Sequence, residues 1–458
     1  MRYHLISLGC PKNTVDAQGM ARLLNAAGHI PTEEAQEADL LIVNTCGFIA
    51  EAREESLAVL QDLAADLRPG QKLVAAGCMA QYTPELLRRA IPALDGLLGT
   101  RRWNEILKLT EQIQEHTASV VLIGDPPRDA ATTAQEPRIA VQGASAYLKI
   151  AEGCSAPCAF CAIPTIKGPA RSRPAAEIIS DARRLVAHGV KEIVLIAQDT
   201  TAYGRDQGRR DALAHLLEAI LEATPSLAWL RLMYAYPQHI TPRLIETMAR
   251  HDQICHYLDM PLQHGHPDVL RRMRRPHDVD RVLRLIEDLR AAMPDIALRT
   301  TFIVGYPGES KAEFEALLDF VAAIAFDHVG AFPYSPEAGT PAADLPDQVP
   351  DEVKIERYER LMTLQQSISL ARNQEQVGRT LEVLVEGSGD GLSVGRSYRD
   401  APEIDGLVIV AGELPVGEMV PVSIEEAMEY DLVGRVLPEE TPLERKRNPR
   451  ARKVRRKG

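Results

Sequence analysis

Nowhere in the 458 residues does an apolar run reach the length a helix needs to cross a bilayer. A signal-peptide pattern is missing too, since Met1-Arg2-Tyr3-His4-Leu5-Ile6 runs straight into a strand-like segment. No membrane contact and a cytoplasmic location are therefore expected. There is no internal repeat of the kind that builds a solenoid. Cysteine is scarce and odd in number, seven in all, which argues against a disulfide framework in an intracellular chain of this size. Three of the seven nevertheless crowd within eight residues, so ligation is the better use for them. Positive charge is in deficit as well. The net charge is −12, and residues 445–458 hold nine Lys/Arg with no acid, leaving −21 on the other 444 residues. An acidic body with a basic tail implies two different contacts.

What is present is ordinary for a globular protein of two to four domains: 45% hydrophobic and 25% charged residues. Three apolar runs open the chain and each ends in a cysteine: Leu5 to Cys10, Leu40 to Cys46 and Leu73 to Cys78. Helix-compatible stretches at roughly 14–27, 50–66 and 84–90 separate them. Such alternation predicts an open parallel sheet, whose ligands bind at the carboxyl ends of the strands, where all three cysteines fall. Residues 124–138, rich in Pro, Ala, Thr and charge, read as a linker. Six further strands, from Ala146–Ala151 to His328–Phe332, alternate with helical patterns and predict a partial (β/α)6 barrel with its site at the carboxyl-terminal mouth. A long amphipathic stretch near 351–376 precedes five short strands that fit a small antiparallel β-barrel of OB-like size. The expected fold class is thus α/β multidomain. Its divisions are an N-terminal domain over 1–115, a linker over 116–139, a barrel core over 140–372, the small β-barrel over 373–437 and a basic, disordered tail over 438–458.

Cys154-Ser155-Ala156-Pro157-Cys158-Ala159-Phe160-Cys161 carries the strongest local signal. Its spacing lets one loop place three thiolates around a 4Fe–4S cube. Structural zinc asks for four protein ligands and the loop offers three. Spacing of this kind, with Phe160 before the last cysteine, resembles the radical S-adenosylmethionine superfamily. The resemblance implies that the fourth iron is chelated by S-adenosylmethionine, whose reductive cleavage releases a 5′-deoxyadenosyl radical. The superfamily's adenine-contacting pattern has a partial counterpart at Thr301, Ile303, Gly305, Gly308 and Glu309, where the first glycine is absent and the glutamate falls one place late. Ile303, Gly305 and Glu309, with Phe160, are the implied cofactor contacts. Locally, Gly305-Tyr306-Pro307-Gly308 reads equally as a turn after a barrel strand.

Any one of Cys10, Cys46 and Cys78 taken alone reads as a small buried residue at a strand end. Three successive strands ending this way point to three thiolates at one sheet edge, able to hold a second 4Fe–4S cluster with an open iron. Cys255 has no such context and reads as structural. Two clusters per chain resemble the methylthiotransferases. The matching runs are Ser7 to Asp16, Asn44 to Ile49, Gly77 to Gln81, Glu152-Gly153-Cys154, Ile163-Pro164, Arg171 to Arg173, Asp259 to His264 and Thr300 to Gly305. Ser7-Leu8-Gly9-Cys10-Pro11-Lys12-Asn13 and Gly395 to Gly406 are similar to the RimO branch, which modifies an aspartate of small-subunit ribosomal protein 12. Ala17-Gln18 departs from that branch, where Ser-Glu is common, with no expected effect on the clusters. The resemblance implies two S-adenosylmethionine molecules per turnover. One methylates a sulfur at the N-terminal cluster, and the other yields the radical that takes a hydrogen from the aspartate β-carbon, giving 3-methylthioaspartate. An electron donor is also implied.

Residues 373–436, which resemble a TRAM domain, carry Arg379, Arg396, Arg399 and Arg435 against thirteen acids. A polyphosphate partner needs cations to replace counterions, and single strands favour aromatic platforms; only Tyr398 and Tyr430 are offered. A basic ribosomal protein suits this segment better than RNA. The basic tail is open to two readings, contact with ribosomal RNA on an assembling subunit or a solubilising end. Alternatives for the whole chain are a tRNA adenosine methylthiotransferase and a non-catalytic iron–sulfur or zinc scaffold.

Overall fold

Strands β1 (Arg2–Ser7), β2 (Ile30–Pro31), β3 (Leu40–Thr45), β4 (Lys72–Gly77), β5 (Gly96–Gly99) and β6 (Val120–Leu122) form one sheet in the order β2-β1-β3-β4-β5-β6. Every pairing is parallel. The chain is described here by a computed structural model covering residues 1–115, 118–126 and 137–437, in two compact units, Met1–Ile368 and Ser369–Gly458. Helices α1 (Pro11–Ala26), α2 (Ala50–Ala65), α3 (Cys78–Tyr82), α4 (Pro84–Ala90) and α5 (Ile106–Glu115) cover the first sheet. Alternate strand residues serve the two faces. Ile42, Val74 and Leu98 pack under Met20, Leu24 and Leu109 of α1 and α5, while Leu41, Val43 and Leu73 pack under Leu60 and Leu87 of α2 and α4. Burial on both faces explains why β3 reads as an unbroken apolar run.

The strand order reverses direction between β1 and β3. In open α/β sheets the crevice outside the carboxyl ends at such a reversal is the binding place. Cys10 follows β1 and Cys46 follows β3, so the fold sets both thiols at that crevice, with Cys78 just beyond β4.

The second sheet of this unit comprises β7 (Ile139–Gln142), β8 (Ser145–Lys149), β11 (Glu192–Ile196), β12 (Trp229–Leu232), β13 (Ile254–Asp259), β14 (Ala297–Val304) and β15 (His328–Pro333). Its order is β15-β14-β13-β12-β11-β8-β7. Six strands run parallel and β7 adds an antiparallel edge to β8. A short antiparallel pair, β9 (Ala151–Glu152) with β10 (Arg171–Ser172), leaves the top of β8 and carries the Cys154–Cys161 loop between its arms. Helices α6 (Ile163–Lys167), α7 (Ala175–Ala187), α8 (Ala212–Ala223), α9 (Pro242–Arg250), α10 (Pro267–Arg272), α11 (Val279–Ala292) and α12 (Lys311–Ile324) follow, and α13 (Asp351–Gln374) leads out of the unit. No helix among the described residues is long and apolar enough to cross a membrane.

The second unit holds a closed barrel of β16 (Thr380–Gly389), β17 (Leu392–Ser397), β18 (Val408–Ala411), β19 (Met419–Ala427) and β20 (Leu432–Val436). Four pairings are antiparallel, but β18 meets β20 in parallel, a seam that the sequence did not announce. Residues Val120–Leu122, placed in the linker by the division at 116–139, extend the first sheet instead, because three apolar residues suffice for a strand along the exposed edge of β5. The tail over 438–458, with its expected disorder and RNA contact, and the linker over 116–117 and 127–136 lie outside the described residues.

Candidate functional site

The first thiol set is assembled by one asparagine and one glycine. Asn13, in the first turn of α1, donates from Nδ2 to the carbonyls of Leu8 and Thr45, both at 3.0 Å. Its Oδ1 accepts from the Cys78 thiol at 3.4 Å, and its own carbonyl accepts from Asn44 at 2.8 Å. A single side chain thus ties together the ends of three strands. Gly9 has φ +88°, and a Cβ there would stand 2.8 Å from the Cys46 Cβ and 3.0 Å from its sulfur. Only a residue without a side chain lets the chain before Cys10 approach Cys46 this closely.

The three thiols feel one another electrically. The recess around the Cys10 thiol opposes ionisation although the residue as a whole is exposed; the Lys12 ammonium, the N–H of Asn13 and Lys167 outweigh it and lower the thiol pKa. Burial raises Cys46, with Cys10 adding to the rise. Burial pushes Cys78 up to about 12, against Lys167, and both Cys10 and Cys46 add to it.

The second set hangs on a loop pinned at its start. Gly153, at φ +75°, packs against the carbonyls of Gly168 and Pro169, and the N–H of Cys154 bonds to Gly168 O at 3.0 Å. The N–H of Ala156 points to the Cys154 sulfur at 3.4 Å. Arg275, buried and stacked 4.2 Å over the Tyr236 ring, aims Nη1 at the Cys158 sulfur at 3.8 Å and donates through Nη2 to Pro261 O. Burial pushes Cys161 up to about 12, with Cys158 and Cys154 contributing. The two sets share a border: Tyr234 feels Cys10, Tyr236 feels Cys158 and Cys154, and Cys78 packs with Ala162 and Ile166.

The donor chemistry of both sets fits iron–sulfur cubes. Each trio offers three thiolates, one short of the four protein ligands that a structural zinc takes. Three thiolates suit a cube, where each ligates a different iron and the fourth is left open. The group His266, Asp268 and Glu313 is close-knit, but its atoms serve the fold: His266 accepts from the Asp268 N–H, and Glu313 closes a capping box with Ser310 and pairs with Arg272.

Between the sets lies a buried ionic knot invisible to motif reading. Asp16 of α1, 2% exposed, takes Lys149 Nζ at 2.6 Å and Arg138 at 2.6 Å on Oδ1, and Lys167 Nζ at 3.0 Å on Oδ2. Glu152 accepts from Lys149 at 2.9 Å and Arg138 at 3.0 Å, and lies 3.1 Å from Lys167. Further contacts join the same two layers. Arg101 donates to the carbonyls of Thr165 and Ile166, Arg53 pairs with Glu337, and Gln18 bonds Val141 both ways, Oε1 accepting at 3.1 Å and Nε2 donating at 3.3 Å. That double bond needs an amide, which gives the departure to glutamine at this position a physical use.

Burial opposes ionisation of Asp16 and Glu152, yet Lys149, Lys167 and Arg138 hold Asp16 below the usual carboxylate range and Glu152 well below it. A carboxylate depressed on folding adds stability that is complete above its unfolded pKa and lost as pH falls through the folded one. Burial opposes the charge of Lys167, but Asp16 and Glu152 raise it well above its ordinary value, so its contribution holds through neutral pH and is lost only as those two carboxylates take up protons. Urea midpoints are therefore expected to stay level from about pH 8 to 5 and to fall below about pH 4. Asp16→Asn is expected to flatten that acid limb.

The implied cofactor contacts divide. Phe160 and Ile303 come together in one apolar cluster with Ala159, Tyr306 and Tyr334 beside the loop. Gly305 lies against the stem of Lys354 on α13. Glu309 is committed inside the fold: Oε1 takes Arg357 at 2.8 Å and Oε2 takes the Tyr306 N–H at 3.2 Å, with His264 Nε2 at 3.5 Å. A carboxylate gripped on both oxygens fixes the shape of the turn that follows β14. Cys255 is buried in β13, as read.

In the second unit two of the four arginines are withdrawn from the surface. Arg396 is 1% exposed and bonds Glu386 and Asp400 O, and Arg399 is 2% exposed. The described surface of this barrel is consequently more acidic than its composition.

Comparison with known proteins agrees with this layout. Residues 2–99 match the "Uncharacterized protein family UPF0004", 148–321 the Radical SAM superfamily and 377–437 the TRAM domain. The chain is 54% identical over 455 residues to the ribosomal protein uS12 methylthiotransferase RimO of Chloroflexus aurantiacus, covering 95% of this chain and 100% of the relative. It is 51% identical to the protein of that description from Roseiflexus sp., with 95% and 97% covered. Among solved structures, the radical S-adenosylmethionine methyltransferase TsrM of Kitasatospora setae aligns with a TM-score of 0.54 at 13% identity, covering 88% of this chain and 81% of that one. This last likeness concerns the fold alone.

Proposed function

The chain belongs to the family of ribosomal protein uS12 methylthiotransferases, and from that premise we propose that it replaces a β-hydrogen of a uS12 aspartate by a methylthio group, forming 3-methylthioaspartate. It is a radical S-adenosylmethionine enzyme, using an iron–sulfur cluster and S-adenosylmethionine. Cys154, Cys158 and Cys161 hold that cluster. Cys10, Cys46 and Cys78 hold a second one, at which sulfur is delivered. The observation that supports this reading is a packing contact: Cys78 of one trio lies in one cluster with Ala162 and Ile166, the residues that follow Cys161 of the other.

When bound, these groups supply the hydrogen-abstracting radical and the sulfur, chemistry suited to a β C–H that is too weak an acid for a general base. The chain's own residues bind and orient. Asn13 and Gly9 gather the first trio; Gly153 and Arg275 fix the second and bring a positive charge to the Cys158 thiolate. The ionic knot around Asp16 keeps the two trios in register, and positioning of this kind sets the geometry for a reaction between them. The acidic barrel with its buried Arg396 and Arg399 suits uS12, a basic protein met free or on an assembling subunit, better than it suits the phosphates of a tRNA. An electron donor completes the requirements.

The test is anaerobic reconstitution with S-adenosylmethionine and a reductant, offering uS12 and tRNA in parallel, followed by mass spectrometry. One methylthio group on uS12 and none on tRNA is the expected outcome. Methylthiolated adenosine with untouched uS12 would overturn it.

A further inference from the structure

Four lysines are buried among the described residues: Lys12, Lys149, Lys167 and Lys354. Three are ion-paired, Lys149 and Lys167 with Asp16 and Glu152, and Lys354 with Asp351 at 2.8 Å. Lys12, 8% exposed, has neither an ion pair nor a hydrogen bond from its ammonium among the described residues, and that ammonium keeps some access to solvent. Its Nζ stands 3.0 Å above the Tyr234 ring, in the first turn of α1 and two residues from the solvent-open Cys10. The acid nearest to answer it is already spent. Asp259 accepts from Arg299 at 2.9 Å and from the Tyr234 N–H at 3.1 Å. An aromatic face answers a mostly buried ammonium only in part, which leaves its charge open to an anion. The fold keeps this one at the border between the two thiol trios.

We propose that Lys12 binds substrate: its ammonium receives the side-chain carboxylate of the uS12 aspartate and so holds the β-carbon beside the Cys10 thiol. The inference rests on the function proposed above. Its chemistry is specific to that substrate, because the carboxylate is bonded directly to the carbon that loses hydrogen. Gripping the carboxylate leaves that carbon little freedom, and the aromatic ring of Tyr234 walls off water, which strengthens a charge-assisted bond. An asparagine side chain has the same shape and no charge, so it loses this anchor and leaves the ammonium unanswered.

The experiment compares holoenzymes of wild type, Lys12→Met and Lys12→Arg on uS12 and on uS12 with asparagine at the modified position. Affinity for each is measured alongside kcat/KM, with iron determined on the same samples. Wild type should prefer the aspartate substrate about ten- to hundredfold in affinity. In Lys12→Met that preference should shrink to near unity, by weaker binding of the aspartate form alone, and Lys12→Arg should restore part of it. An unchanged aspartate preference in Lys12→Met would overturn the inference. So would a loss of iron in Lys12→Met, which would assign the ammonium to the cluster. A wild-type enzyme that binds uS12 with the aspartate preference but attaches no methylthio group would count against the proposed function while leaving Lys12 as the carboxylate anchor.

Discussion

Cys46→Ala is expected to abolish methylthio transfer to uS12 while leaving cleavage of S-adenosylmethionine to 5′-deoxyadenosine in place, and to lower bound iron from about eight to about four per chain. The sulfur is one of three at the reversal point of the first sheet, held by mutual bonds between Ser56 and the Cys46 backbone at 3.1 Å. Alanine keeps that backbone and removes one ligand of three. Two thiolates would not hold a cube that already has one iron without a protein ligand, so the whole of the proposed second cluster should be lost. The barrel loop is untouched: its support comes from Gly168 and Arg275, on elements far along the chain from Cys46. Radical generation and sulfur delivery separate in this one variant, and anaerobic iron analysis with chromatography of the nucleoside products checks both.

Asp16→Ala is expected to produce the largest loss of stability, roughly 3–5 kcal/mol, because it leaves Lys149, Lys167 and Arg138 facing Glu152 alone in a buried site. All three cations touch Asp16 within 3.0 Å, and Lys149 and Lys167 are almost wholly out of water. A ΔG of unfolding is commonly only 5–15 kcal/mol, so the loss is a large part of the whole. Gln18→Ala, two residues on and also bridging to the barrel layer, is the control. Its bonds to Val141 are exposed, and a change within about 0.5 kcal/mol is expected. Urea unfolding followed by circular dichroism measures both; equal, small effects would show that the knot is dispensable.

Much of the site was legible because it sits where patterns are strong. A parallel strand covered on both faces is a solid apolar run, and when three such runs end in cysteine the sheet itself gathers the thiols. The loop from Cys154 to Cys161 declares itself by spacing. What stayed hidden depends on tertiary order. Nothing in Leu5–Cys10 or Leu40–Cys46 says that β1 and β3 are neighbours at a reversal of strand order. Lys149 looks like a strand residue with a chance charge until Asp16, 133 positions away, meets it. Val120–Leu122 is too short to stand out from a linker, and the parallel seam between β18 and β20 leaves no mark on alternation. The partners of Glu309 were hidden in the same way: the partial motif match names the residue, while Arg357, which pairs with its carboxylate, lies in a helix the motif does not include.

The claim on which all else depends is that six thiols divide three and three between separate cubes. Cys46→Ala and Cys158→Ala, reconstituted side by side, test it most directly through iron content and 5′-deoxyadenosine formation. Each should retain about half the wild-type iron, with deoxyadenosine formed by the first variant and not by the second. Full iron in either variant, or deoxyadenosine lost equally from both, would contradict the division.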